Sequence, residues 1–443
     1  MKIISVLFLC FVLLPPVRSG AQKPDTLSAS STYITLRDAI SMALDKNYDI
    51  RVAQVNLEEA RTNNTIGNAG MLPDINATGG ITGSIQNSAN KFATGTTQNR
   101  QGASAFGLNG SVQLDWVLFD GMRMFINKHR LDEIAHTGDI ALRQQIQGTV
   151  AGVVFAYAEV VRQKQKLVAI DTALALAQVR MDIARKQFEV GTSAKTDYLQ
   201  AQVDYNASQS DYLQQEAALR NAKDTLLILL GKDQFADYDV QDSLALNQNL
   251  VFREKESWLN NNFDYQLALQ DKKMSEYDLK LARGAQLPQL DLTAAYNYNR
   301  NQNDAGLSLY SKSYGPQAGL NLSIPLFEGL NLQRAKKIAR QEIFRKDLLL
   351  ERLSATLSGS YRSQWRNYRN ALKTLQLEKE NLGYAQENVM IQQARFRVGV
   401  SNTLELREAE NSYVEAMTTL VEAAYAVKIA ETSLLAIENK LVE

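Results

Sequence analysis

Two stretches of about 70 residues without a proline, Gly121 to Gly191 and Gly329 to Gly399, constrain this chain more than any other feature. In the first, apolar residues recur at every seventh position, as Ile146, Val153, Val160, Leu167, Leu174, Met181 and Phe188. A period held that long predicts a single helix, ~105 Å from end to end at 1.5 Å per residue. Leu118-Phe119-Asp120-Gly121 opens the first stretch and Phe188-Glu189-Val190-Gly191 closes it. Leu326-Phe327-Glu328-Gly329 and Phe396-Arg397-Val398-Gly399 do the same for the second, 208 residues further on at both ends. Helices of ordinary globular domains run three or four turns, so a pair this long predicts struts that span a distance.

Each strut is followed by a return helix, from Ala194 to about Leu230 and from about Ser401 to the end of the chain. Both keep a strict double column: Tyr198, Tyr205, Tyr212, Leu219 and Leu226 beside Ala201, Ser208, Gln215, Ala222 and Leu229, then Leu406, Tyr413, Leu420, Val427 and Leu434 beside Ala409, Ala416, Ala423, Ala430 and Ile437. Alternating three- and four-residue steps mark a coiled-coil seam with left-handed supercoiling. Before each strut lies a further helical pattern, from Thr35 towards Gly70 and from Glu256 to Gln286, stopped by Leu72-Pro73 and Leu287-Pro288.

Between those prolines and the struts the period falls to two. Ile75, Ala77, Gly79, Ile81, Gly83 and Ile85 alternate with polar residues, as do Leu108, Val112, Leu114, Trp116 and Leu118. Leu290, Leu292, Ala294, Tyr296 and Tyr298, then Ala318, Leu320, Leu322, Ile324 and Leu326, repeat the pattern. The strands are expected at about 74–88, 106–119, 289–300 and 315–327. One wholly apolar face opposite one of Asn, Gln, Ser, Thr and Asp is the lipid-out, water-in signature of an outer-membrane barrel. Trp116, Tyr296, Tyr298, Tyr310 and Tyr314 lie near strand ends, where interfacial girdles and packing between strands both place aromatics.

The whole is a duplicated helix, hairpin, long helix, return helix unit: 22–230 as one repeat with its long helix at 121–190, 231–255 as a linker, and 256–443 as the second repeat with its long helix at 329–398. Four strands cannot close a barrel, and an open sheet in lipid leaves backbone groups unsatisfied. Two copies would give eight strands and three copies twelve.

Composition removes several functions. Lys2, the apolar Ile3 to Leu14 and Ser19-Gly20-Ala21 predict a signal peptide over residues 1–21, too short in its apolar part to span a bilayer. Cys10, inside it, is the only cysteine, so no disulfide is expected in the mature chain. The chain carries 48 basic and 48 acidic residues, with no basic footprint for nucleic acid. His129 and His136 stand seven apart with no cysteine or third histidine, which argues against a metal site, and no cofactor is expected. No Ser-His-Asp order, phosphate-binding glycine loop or paired carboxylates off a helix face point to an enzyme.

The duplicated Leu-Phe-Asp/Glu-Gly and Phe-x-Val-Gly-x-Ser turns, with strand hairpins between them, resemble the TolC-type outer-membrane efflux and secretion channels over nearly the whole mature chain. The resemblance implies a mainly α fold with a transmembrane β part: a homotrimer whose twelve-stranded barrel continues as a helical coiled-coil tunnel through the periplasm. It implies an exit duct for a tripartite efflux pump or type I secretion system, with a periplasmic adaptor and an inner-membrane transporter as partners. By position, the adaptor-docking tips are Phe188, Val190, Gly191, Ser193, Phe396, Val398, Gly399 and Ser401, and the gate acids are Asp197, Glu405 and Glu408. Ser401 stands where the best-known channels carry a closing arginine, with Arg397 and Arg407 nearby as replacements. The competing expectation is a secreted coiled-coil scaffold, for which strands with one fully apolar face have no use.

Overall fold

The computed structural model describes residues 32–232, 238–304 and 308–441; the expected signal peptide and most of the polar segment after it lie outside them. Chain order is β1 (Thr32–Ile34), α1 (Leu36–Lys46), α2 (Tyr48–Asn63), β2 (Asp74–Lys91), β3 (Thr97–Phe119), α3 (Arg123–Glu189), α4 (Lys195–Leu229) and β4 (Tyr238–Val240). After two short 3-10 turns follow α5 (Phe263–Gly284), β5 (Gln289–Asn303), β6 (Tyr310–Ser323), α6 (Asn331–Arg397) and α7 (Thr403–Ile437). The long helices α3 and α6 each hold 67 residues, ~100 Å of rise.

β2, β3, β5 and β6 form one antiparallel sheet in that order, so the two hairpins join through β3 and β5. The register aligns the apolar residues into rows: Ile75 opposite Leu114, Leu114 opposite Ala294, and Ala294 opposite Ala318. That face is bare in the single chain, with Ile75, Ile81, Ile85 and Leu320 each more than 60% exposed. The strands are longer at the hairpin ends than alternation suggests, because a ladder continues through Asn, Ser, Gly and Thr that show no apolar period. β6 stops at Ser323 rather than near 327, just ahead of Pro325, which cannot donate to a ladder. Ile324 and Leu326 therefore lie beyond the strand.

The Phe-Asp/Glu-Gly motifs turn the chain from strand to helix. Gly121 and Met122 have φ of 73° and 69°, and Gly329 and Leu330 have 60° and 64°, so each copy places two successive residues in the left-handed region. A β-carbon on Gly121 would lie 2.2 Å from the Gly284 carbonyl oxygen, where α5 ends. Backbone strain and close approach together explain the glycine.

The helical pattern from Thr35 breaks at Asn47, whose ψ of 131° leaves helical geometry. Its Oδ1 accepts from the Asp49 and Ile50 amides and caps α2, while its Nδ2 donates to the Leu229 carbonyl at 2.9 Å, the last residue of α4. Asn262 repeats this arrangement: it caps α5 through the Tyr265 amide and donates to the Ile437 carbonyl at the end of α7. Both asparagines are buried. Each long helix is thus flanked by helices meeting end to end, and one side chain serves orphan groups on both ends of the joint.

Two apolar cores lie at this mid-level. One gathers Ile34, Ala39, Val153, Tyr157, Leu226 and Val240, with β1 and β4 paired in parallel on it. The other gathers Trp258, Tyr361, Tyr368, Leu375 and Val427. Buried phenols of the long helices fasten the linker: Tyr157 donates to the Ile34 carbonyl and accepts from the Gln241 amide, and Tyr368 donates to the Asn247 carbonyl at 2.6 Å. Tyr361 accepts from the Arg253 amide at 3.0 Å and donates to Glu438 at 2.7 Å.

Replacing Asn47 or Asn262 by alanine should lower stability by ~1–2 kcal/mol each, seen as an earlier midpoint in chemical unfolding. Aspartate, which keeps the cap but turns a carboxylate oxygen onto the buried carbonyl in place of the donor, should recover none of what alanine loses. Alanine variants as resistant as the wild type would show that the joints do not hold the helix ends.

Candidate docking tips and gate

The tips are the α3–α4 and α6–α7 reversals. Gly191 and Gly399 both have φ of 77°, and nothing lies within 4 Å of a β-carbon built on either, so backbone conformation alone demands glycine. The amide after each glycine closes the turn onto the preceding helix: Thr192 to the Gln187 carbonyl and Val400 to the Arg395 carbonyl, both at 2.9 Å. Val190 and Val398 project at 73% and 74% exposure, unusual for valine and matched between the two copies. The phenylalanines are not matched: Phe396 is buried, whereas Phe188 is partly exposed and stacks on Tyr198 with centroids 6.4 Å apart.

Ser193 donates to Asp197 at 2.6 Å, and Ser401 donates to Glu405 at 2.7 Å. Glu405 also lies in the first turn of α7, its amide capped by Asn402 at 2.9 Å. Both acids sit where a helix N-terminus favours negative charge, so each has a local structural role. Glu408 is exposed one turn further along. Asp197 lines a cleft of about 450 Å³ with Asp204, Asn402 and Arg407; Glu405 and Glu408 are not among its walls. Of the two arginines near Ser401, Arg397 is exposed and Arg407 lies 3.6 Å from Asp204 on α4.

A charged cluster above the tips escaped the sequence reading. Arg180 on α3 pairs with Glu410 on α7, and its other terminal nitrogen lies 3.2 Å from Asp204. Arg180 and Glu410 are each 4% exposed. Each stands eleven residues from its own turn glycine, ~16 Å along the helix. The cluster therefore ties the first hairpin to the second. Its trace in the sequence is an arginine set in a stripe of small buried residues, Ala169, Ala177 and Ala184.

Burial pushes the Glu410 carboxyl up to about 7, and the nearby Asp204 charge adds to this against the opposing pull of Arg180. Between pH 4.5 and about 7 the folded chain therefore binds more proton at Glu410 than the unfolded chain does. Bound protons are then more numerous in the folded state, and stability falls as pH rises from 4.5 to about 7. Glu410→Gln should flatten that part of the stability profile in unfolding series; an unchanged slope would mean that another group titrates there.

His129 lies 3.9 Å from Asp132, and His136 Nδ1 is 3.1 Å from Gln270 Nε2. No group of three metal-ligating side chains occurs among the described residues.

A family model described as outer membrane efflux protein matches residues 39–232 and 256–439. The outer membrane protein TolC of Vibrio cholerae is 23% identical over 370 residues, 82% of this chain and 80% of its own length. The proteases secretion protein PrtF of Dickeya chrysanthemi is 19% identical over 407 residues, 89% of this chain and 86% of its own. In fold, the chain is similar to the CmeC outer membrane channel of Campylobacter jejuni, with TM-score 0.71 and 17% identity over 91% of this chain and 85% of that one.

Proposed function

The chain belongs to the outer membrane efflux protein family, and from that premise we propose that three copies assemble into a passive duct across the outer membrane and periplasm. The duct is the exit of an efflux pump or of a type I secretion system. One observation carries the reading: a four-stranded sheet with a bare apolar face and two unpaired edges, β2 and β6, stands at the end of two 67-residue helices. Pairing the β6 edge of one copy with the β2 edge of the next satisfies both edges and turns the apolar face to lipid. Twelve strands exceed the bacterial minimum of eight. A secreted scaffold would leave that face in water.

The far ends of the helices then lie in the periplasm. The exposed Val190 and Val398, with Phe188, Gly191, Ser193, Gly399 and Ser401, form the surface on which a periplasmic adaptor docks, and the buried Phe396 supports the second tip from beneath. An inner-membrane transporter supplies energy and selects cargo. Asp197, Glu405 and Glu408, repeated three times around the axis, ring the mouth with carboxylates, which favours cations at a narrow opening.

Purified wild type should conduct in planar bilayers and run as a heat-modifiable, trimer-sized band. Replacing Glu405 and Glu408 together by glutamine should raise single-channel conductance or lower cation preference. If neither changes, these acids only cap and solvate α7. A wild type that stays soluble and never conducts would overturn the duct itself.

A further inference from the structure

Arg300 on β5 and Lys312 on β6 face each other directly across the strand pair. Their row continues to Leu108 on β3 and Ile81 on β2, so both cations share the apolar face. Like charges in direct cross-strand register are destabilising. Among the described residues no carboxylate reaches either cation. Asp304, nearby in the chain, is engaged by the Ser104 hydroxyl.

Tyrosines surround the pair. Lys312 Nζ lies 5.6 Å from the Tyr298 ring centroid and 5.2 Å from that of Tyr314, and the Arg300 guanidinium lies 5.6 Å from that of Tyr310. These contacts orient the cations without neutralising them. Height places the cluster. From Leu290 to Arg300 the strand runs ten residues, ~34 Å along its axis and ~24 Å upright at a 45° tilt, against an apolar band about 25 Å tall in membrane barrels. The cations therefore stand at the edge of the band furthest from the helices, at headgroup level, within the aromatic collar typical of that depth.

We propose that Arg300 and Lys312 clamp the phosphate of an outer-leaflet membrane lipid, whose acyl chains run down the apolar face past Ala294, Ala318 and Leu320. One phosphate between the two cations converts a repulsive cross-strand pair into two charge-assisted contacts. The inference rests on reading this face as the lipid-facing side of the duct.

The test is lipid titration of the delipidated, detergent-extracted full-length channel, followed by native mass spectrometry. The probes are phosphatidic acid, a diphosphorylated glycolipid, diacylglycerol with the same acyl chains, and inorganic phosphate. Both phosphorylated lipids should bind the wild type, and the double variant Arg300→Gln with Lys312→Gln should bind them about tenfold more weakly or worse. Diacylglycerol should bind both proteins only as weakly as the double variant binds phosphatidic acid. Equal binding by wild type and double variant, or diacylglycerol as tight as phosphatidic acid, would overturn the clamp. Inorganic phosphate as tight as the lipids would make the ligand free phosphate and overturn it too. Should the double variant fail to assemble, Lys312→Gln alone decides, with a weakening of about threefold or more expected and none overturning the clamp. A conducting wild type with variant-insensitive lipid binding rejects the clamp alone; a wild type that never conducts rejects the duct.

Discussion

Two unpaired strand edges govern this molecule. β2 and β6 border a sheet whose apolar face has no cover within the chain. Lipid can cover the face, but no lipid can hydrogen-bond the edges, and each backbone group left bare in hydrocarbon costs several kcal/mol. In the proposed trimer another copy supplies the matching edge, so the barrel would be a property of the assembly and the single chain one arc of it. In that proposed ring the helical part inherits the constraint, since every copy would bring its rods to the same place beneath it.

That placement depends on polar groups at mid-length. A helix of ~100 Å is stable in water chiefly through packing along its length, yet no return helix is long enough to cover it. The joints at Asn47 and Asn262 let two shorter helices act as one cover, with the carbonyls ending α4 and α7 satisfied by the residues that start α2 and α5. Tyr157, Tyr361 and Tyr368 hold the linker across the same level. Further down, Arg180, Asp204 and Glu410 bind α3, α4 and α7 where buried apolar contacts have given way to small residues. The two hairpins are thus pinned together ~16 Å from their tips, which leaves the last turns free to meet other surfaces.

Much of this was legible in the residues. The seven-residue period located α3, the bounding motifs repeated 208 residues on located α6, and alternation located all four strands of the large sheet, because period and alternation both come from one face being apolar along a whole element. The 208-residue offset revealed the duplication. What was missed lies where polar side chains act singly. Asn47 was not visible as the break in a helix, since α1 and α2 share a continuous apolar pattern. The strands reach further towards the hairpin ends than expected, because backbone ladders do not need apolar partners. The Phe-Asp/Glu-Gly motif was readable as a boundary; its meaning, two successive left-handed residues in each copy and, in the first, a close approach to α5, required coordinates. The glycine tips were predictable from the reversal, whereas the serine contacts to Asp197 and Glu405 and the cluster around Arg180 depend on side-chain placement that no period encodes.

The most direct test of the central claim is the mass of the complex extracted from outer membranes in mild detergent. Three chains in a complex that partitions with the outer membrane are predicted, because the edges close only when each copy lends its arc to the next. A water-soluble single chain, or a membrane species whose sheet edges stay open to exchange, would contradict the account.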